Sequence, residues 1–363
     1  MPTFARTGVA NLPLHGGKAP RWLFERMTKL AREICIVIVE EFGPDEMLRK
    51  MSDPYWFQAF GCVLGFDWHS SGLTTTACGA LKEGIREIEN DLGFFVAGGK
   101  GATSRQTPKQ IEDRGHLISV EVSSLVYNSK MAAKVDSAAL QDGYQLYHHV
   151  FLFTTDGSWA VVQQGMNTST RYARRYHWLG EGVVDFVCEP HAAICSQQRG
   201  EALNLVALES TQARGVITQI ATENKPEGTI AELRRLQSLD LPPRHHLVAQ
   251  DIHPDRLSKI ILSTYERRPG DFEELLSLPG VGPKTIRALS LLSELIYGAP
   301  PSFSDPARFS FAHGGKDGIP YPVDRCTYDK SIELLRKAVL RSKVDGSQKR
   351  QAINRLDGWH FGN

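Results

Sequence analysis

Residues 144–165 read YQLYHHVFLFTTDGSWAVVQQG, and the fold class turns on them. Tyr144 to Thr154 and Ser158 to Gly165 are rich in aromatic and β-branched residues, with Asp156-Gly157 between them. That composition around a short Asp-Gly turn predicts two antiparallel strands. Working outward, Phe94 to Gly101 predicts a strand running into a glycine loop, and Val183 to Val187 and Leu203 to Leu208 predict two more strands. The segments before them, Pro20 to Phe42 and Thr74 to Asp91, carry apolar residues at helical spacing, as does Ser119 to Asp142. From about Thr211 the β signal fades, and helix follows helix between breaks at Pro226, Pro242-Pro243 and Pro269-Gly270. The reading is an α+β protein: a mixed α/β domain with an antiparallel sheet over residues 1–210, and an all-α domain over 211–363.

The bulk numbers fit that size. A chain of 363 residues accommodates two domains, and 41% hydrophobic with 23% charged residues lies in the globular range. The formal net charge of +1 provides no global field for a polyanion, so any nucleic-acid surface is a local patch. The six cysteines (Cys35, Cys62, Cys78, Cys188, Cys195 and Cys326) form no C-x-x-C pair. A disulfide framework, a thiolate zinc site and an iron–sulfur cluster are not expected, and a reducing cytoplasm is. The start Met1-Pro2-Thr3 lacks signal-peptide character, and the most apolar run, Ile34 to Val39, is too short to span a bilayer, so no membrane partner is expected.

Residues 271–298, DFEELLSLPGVGPKTIRALSLLSELIYG, carry the clearest functional signal. Asp271 caps a short helix, Pro279 ends it, Gly280 and Gly282 permit a tight turn, and Pro283 starts a second helix. Amides of Gly280, Val281, Gly282, Lys284 and Thr285 would face a phosphate at that helix start, with the Lys284 charge beside them. Such a contact positions a duplex without reading its bases. The octapeptide Leu278 to Thr285 resembles the helix-hairpin-helix motif of DNA repair and recombination proteins, which implies DNA as the partner. A subset of that superfamily, the endonuclease III type of glycosylase, places a catalytic lysine in the hairpin and an aspartate after a valine downstream. Lys284 and Val323-Asp324 match those positions, so Lys284 and Asp324 form an alternative catalytic pair. The longer connection Ala299 to Tyr321 departs from the glycosylase pattern. A non-catalytic DNA-binding scaffold is a third reading.

Polar clusters in the first half supply candidates for hydrolysis. Asp67 and His69 lie two apart; Lys134, Asp136 and Asp142 precede the strand that starts with His148 and His149; Glu189 and His191 add a further pair. A metal-dependent nuclease needs carboxylates for Mg or Mn and a lysine or histidine for proton transfer. Asp67, Asp136 and Asp142 are therefore the expected metal ligands, with His69, Lys134 and His148 as catalytic partners. Arg171, Arg174 and Arg175 interleave with aromatics, a pattern suited to phosphates and unpaired bases. Gly-Gly-Lys recurs at Lys18, Lys100 and Lys316 without the spacing of a nucleotide-binding P-loop, so phosphate is a candidate ligand there and a nucleotide cofactor is not. The combined motifs FGCVLGFDWHSSG, KVDSAALQDGYQLYHH and HGGKDG with PVD resemble a prokaryotic family of unknown function (domain of unknown function seven-six-three), a likeness covering nearly the whole chain that brings no established activity.

Overall fold

The computed structural model describes residues 19–66, 72–196, 199–237, 252–307 and 325–360. Four helices open it: α1 (Arg21–Phe42), α2 (Pro44–Ser52), α3 (Pro54–Leu64) and α4 (Gly72–Ile85), followed by the single turn α5 (Glu89–Leu92). Proline explains two of the starts, because Pro44 and Pro54 sit at first-turn positions where no backbone N–H is needed. Asp53 caps α3 by accepting from the amides of Tyr55 and Trp56 at 2.8 and 3.2 Å. Strand β1 (Phe94–Lys100), helices α6 (Thr107–Glu112) and α7 (Val122–Lys134), a π-turn over 135–139 and the short β2 (Leu140–Gln141) follow.

The predicted hairpin is β3 (Gln145–Thr154) and β4 (Trp159–Met166), extended by β5 (Ala173–Leu179) and β6 (Ala193–Cys195). With β1 they form a five-stranded sheet in the order β1-β3-β4-β5-β6, antiparallel throughout. The turn between β3 and β4 differs from a two-residue Asp-Gly turn. Thr154 N–H donates to the Ser158 carbonyl at 3.0 Å, so three residues close the loop, with Gly157 in the left-handed region at φ 85°. Residues 183–187, expected as a strand, form a loop instead. Asp185 accepts from the Val187 amide at 2.7 Å, and Phe186 stacks on Trp159 with ring centroids 5.9 Å apart. The local turn and the aromatic contact outweigh β propensity there.

After β7 (Glu201–Asn204) come α8 (Thr211–Glu223), α9 (Pro226–Gln237), α10 (Pro254–Arg267), α11 (Phe272–Ser277) and α12 (Pro283–Leu295). Strand β8 (Ser302–Ser304) then joins β7 and β2 in a second, three-stranded sheet, and α13 (Arg325–Arg341) and α14 (Gly346–His360) close the chain. Fold class is α+β, as the sequence implies.

Burial divides the molecule by sheet face rather than at residue 210. On one face Phe95, Phe151, Phe153, Val161 and Trp178 pack with α7 and with apolar residues of α8 to α12, Ile217, Leu275 and Leu289 among them. On the other, Phe94, Val96, Val150, Leu152 and Val162 pack with α1 to α4 and with Leu335, Val339 and Leu356 of α13 and α14. The helices after residue 210 thus split between the two sides of the sheet. The boundary expected there is overridden, because each face of a sheet needs an apolar cover and this chain draws both covers partly from its C-terminal third. Among the described residues no helix is long and apolar enough to cross a membrane.

Candidate functional site

The sheet turns polar at one end. In the cross-strand register His149 faces Gln163, which faces Tyr176; one residue along, His148 faces Gln164, which faces Arg175. Because alternate residues point to opposite sides, the first trio lies on the α7 face and the second on the α1 face. All six are buried.

On the α7 face the side chains form a continuous relay. Gln163 Nε2 donates to the Ala132 carbonyl at 3.2 Å and to Asp136 Oδ2 at 2.6 Å. Both partners only accept, which fixes the amide orientation and turns Gln163 Oε1 toward His149 Nδ1 at 2.9 Å. Oε1 can only accept, so Nδ1 carries the proton. Burial holds the His149 pKa below its ordinary value, keeping the ring neutral with a lone pair on Nε2. Ser129 Oγ, 2.9 Å from Nε2, must therefore donate to it. Asp136 ends the relay, accepting also from Trp178 Nε1 at 2.9 Å and pairing through Oδ1 with His191 Nε2. A cavity of about 250 Å³ abuts the Ser129 end, lined by Ser129, His149 and Gln163 together with Arg105, Lys130 and Leu146.

Asp142 belongs to a second network on the same face. Its carboxylate accepts from Arg174 at 2.8 Å, from the Tyr176 hydroxyl at 2.7 Å and from the Tyr144 amide at 3.1 Å. Burial raises the Asp142 pKa, and those donors pull it back down. Arg174 also reaches Asp305 at 2.6 Å, tying the sheet to the segment after β8.

The α1 face is less completely partnered. Arg175 donates to His177 Nε2 at 2.8 Å and to Gln58 Oε1 at 3.2 Å, and its guanidinium lies over the Phe57 ring. Burial and the Arg175 charge press the His177 pKa well below its usual range. Gln164 Nε2 donates to the Tyr147 hydroxyl. His148, only 1% exposed, has no hydrogen-bond partner at either ring nitrogen. Burial first, then the neighbouring His149 and Lys100, lower its pKa to about 3.

Several sequence expectations change here. Arg174 and Arg175 are each 1% exposed and hold internal networks, so neither presents itself to a phosphate. Their place on the buried interior strand β5, where a guanidinium needs acceptors, is the reason. Arg171 is exposed in the turn before β5, at φ 60°. Asp136 and Asp142 do not fit a divalent ion: each carboxylate is already engaged by three protein groups, and no three His, Cys, Asp or Glu among the described residues are grouped to hold a metal. Lys134, expected as a catalytic partner, instead donates to the Leu278 and Val281 carbonyls, and burial lowers its pKa. Asp67, His69 and Asp324 lie outside the described residues, as do Lys18 and Lys316. Ser129, His149 and Gln163 were not singled out as site residues, because their alignment depends on the strand register and on the packing of α7.

The segment 271–295 forms two helices joined by a tight turn. Asp271 Oδ1 accepts from the Glu274 amide at 2.7 Å while Glu274 Oε2 accepts from the Gly270 amide at 2.7 Å, a reciprocal cap. Phe272, Leu275 and Leu276 are buried. Gly280 is exposed at φ 86°, and the Lys284 side chain is exposed in the first turn of α12. Val281 and Thr285, at 2% exposure each, point inward, so only their backbone could take part in binding. The turn is clamped from below: besides Lys134, Gln141 Nε2 donates to the Pro283 carbonyl at 3.0 Å.

The fold and this site define an α+β protein with a buried polar relay on one sheet face and a clamped helical hairpin beside it. The chain belongs to the family described as Protein of unknown function (DUF763), whose model matches residues 8–323. No curated protein and no solved structure matches it.

Proposed function

We propose that this protein binds DNA through the hairpin at Leu278–Thr285, gripping the phosphate backbone without sequence preference, and acts in DNA processing or repair. The observation that carries the reading is the exposed turn at Gly280, where the left-handed backbone and missing side chain let a ligand approach the start of α12. Helix α10 packs against this turn through Ile260, whose Cγ1 lies 3.5 Å from where a Gly280 Cβ would be, and the same helix carries exposed Arg256, Lys259 and Arg267. The clamp by Lys134 and Gln141 holds the turn in place before any ligand arrives, which reduces the ordering cost of binding.

Fluorescence anisotropy with two duplexes of unrelated sequence tests this. Equal affinities are expected, weakening steeply between roughly 50 and 200 mM salt. Lys284→Glu should weaken both duplexes alike and flatten the slope of log affinity against log salt by about one. Salt-independent binding, or an unaltered Lys284→Glu variant, would count against the hairpin as the contact.

A further inference from the structure

The cavity beside Ser129 combines three features that the DNA reading does not use. The first is the direction of the hydrogen bonds: Ser129 Oγ–H donates to the free lone pair of His149 Nε2, and Gln163 holds the opposite nitrogen in its protonated form. This is the arrangement of a nucleophile, its base and the group that orients the base. The second is the glycine-rich end of β1, Gly98-Gly99-Lys100, which runs through Gly101 into the turn 101–106 bordering the cavity. The three glycines have φ of 91°, 151° and 60°, and a Cβ at Gly98 would stand 2.2 Å from the His149 carbonyl oxygen. Only glycine lets β1 press this closely on the strand that carries the base. The third is charge: Arg105 and Lys130, both exposed, line the cavity, and none of the described residues lining it is acidic.

We propose that this cavity is a phosphoryl-transfer site for a phosphate monoester, with Ser129 as nucleophile, His149 as general base, Gln163 as the positioning residue, and Arg105 and Lys130 as the cations that hold the phosphate. The size agrees with such a group. At about 250 Å³ the cavity falls below the roughly 300–1,000 Å³ of drug-sized sites, so it takes the phosphate and the first atoms of its alcohol. Ser129 is 2% exposed, so a substrate reaches it by filling the cavity.

The reaction balances without a further reagent. Ser129 Oγ forms a bond to phosphorus while its proton passes to His149 Nε2. The bond from phosphorus to the alcohol oxygen breaks, and His149 returns the proton to that oxygen. Water then attacks the phosphoserine, giving one proton to Nε2, and Ser129 Oγ leaves and recovers it. The sum is ester plus water to alcohol plus phosphate. Arg105 and Lys130 offset the charge on the non-bridging oxygens throughout.

The test uses the full-length protein with para-nitrophenyl phosphate, followed by acid quench and mass spectrometry of the digested chain. Turnover is expected in the wild type, with phosphoserine on the peptide containing Ser129. Ser129→Ala should lower turnover about a hundredfold or more. Arg105→Ala, a substitution at an exposed side chain, should raise KM severalfold with a smaller change in kcat. If Ser129→Ala fails to fold, the wild-type phosphoserine and the Arg105→Ala shift in KM decide. No turnover by the wild type, no phosphoserine at Ser129, or full activity in a folded Ser129→Ala protein would each overturn the proposal. The readout involves no DNA, so its failure leaves the hairpin reading standing, and the reverse holds as well.

Discussion

His148 and His149 are neighbours on one strand, yet they have opposite chemistry. His149 has a partner at each ring nitrogen and stands in a relay from Ser129 to Asp136. His148, pointing to the other face, has a partner at neither. Both are buried, so the desolvation is similar, and the difference lies in what the packed helices deliver to each face. Helix α7 brings a serine hydroxyl to His149 and a carbonyl to its partner Gln163, whereas His148 meets the neighbouring Lys100 charge. One face of the sheet end is a completed polar circuit and the other retains an orphaned imidazole. The lesson is that a polar residue's role is set by the face it occupies rather than by its neighbours in sequence.

The largest effect that separates the faces should come from Asp136. Asp136→Ala strands Gln163, Trp178 and His191 donors inside the molecule, and a loss of about 3–5 kcal/mol in urea unfolding is expected. A loss under about 1 kcal/mol would show that the relay is not a structural unit.

Next comes acid. The folded-state pKa values of His148, His149 and His177 are all lowered, with His148 at about 3. A depressed histidine pKa means that the unfolded chain binds more protons below about pH 6.5, so each ring carries no proton-linked penalty above that pH and destabilises the fold increasingly as pH falls. The contribution of His148 should decline by ~1.4 kcal/mol per pH unit between about 6 and 4. Asp142 works in the opposite direction, since its raised pKa favours the folded state as acid is added. The His148 part is therefore read as the difference between wild type and His148→Leu in unfolding experiments across that range. Identical pH slopes for the two proteins would break the account.

The same variant at neutral pH sharpens the comparison further. His148 gains no hydrogen bond in exchange for its desolvation, so His148→Leu should be stabilising by about 1 kcal/mol or more. A matching stabilisation by His149→Leu would erase the distinction between the faces. The smallest effect is expected at the hairpin, where Gly280→Ala places a Cβ at φ 86° with only ordinary contact to Ile260. A destabilisation of about 1 kcal/mol in thermal or urea unfolding would reflect backbone strain alone. A much larger value would mean that the turn cannot accommodate even a methyl group.

Much of the framework was legible in the chain. The alternating β-branched and aromatic residues of 144–165 marked the hairpin, and the capped segments on either side of Pro279 marked two helices. The relay was not legible. A two-residue Asp-Gly turn would have paired His149 with Gln164, whereas the three-residue loop pairs it with Gln163. One residue of register decides which side chains share a face, and the packing of α7 decides which of them meet a partner. Arg174 and Arg175 misled for a related reason. Arginines among aromatics look like a binding strip in sequence, and only their position in the interior strand β5 shows that their charges are used internally.

The sequence by itself determined the elements and their class, because turn chemistry and apolar periodicity are local properties that short segments carry whole. It also marked the glycine turn at 280, where only glycine adopts the left-handed backbone without strain. Only the tertiary structure decided that Ser129, His149 and Gln163 meet beside a cavity, that Asp136 and Asp142 are spent on protein donors, and that both sheet faces borrow helices from beyond residue 210. Those outcomes depend on register and on which helix covers which face. Both are settled by the burial of the whole chain at once, and no single stretch of residues encodes them.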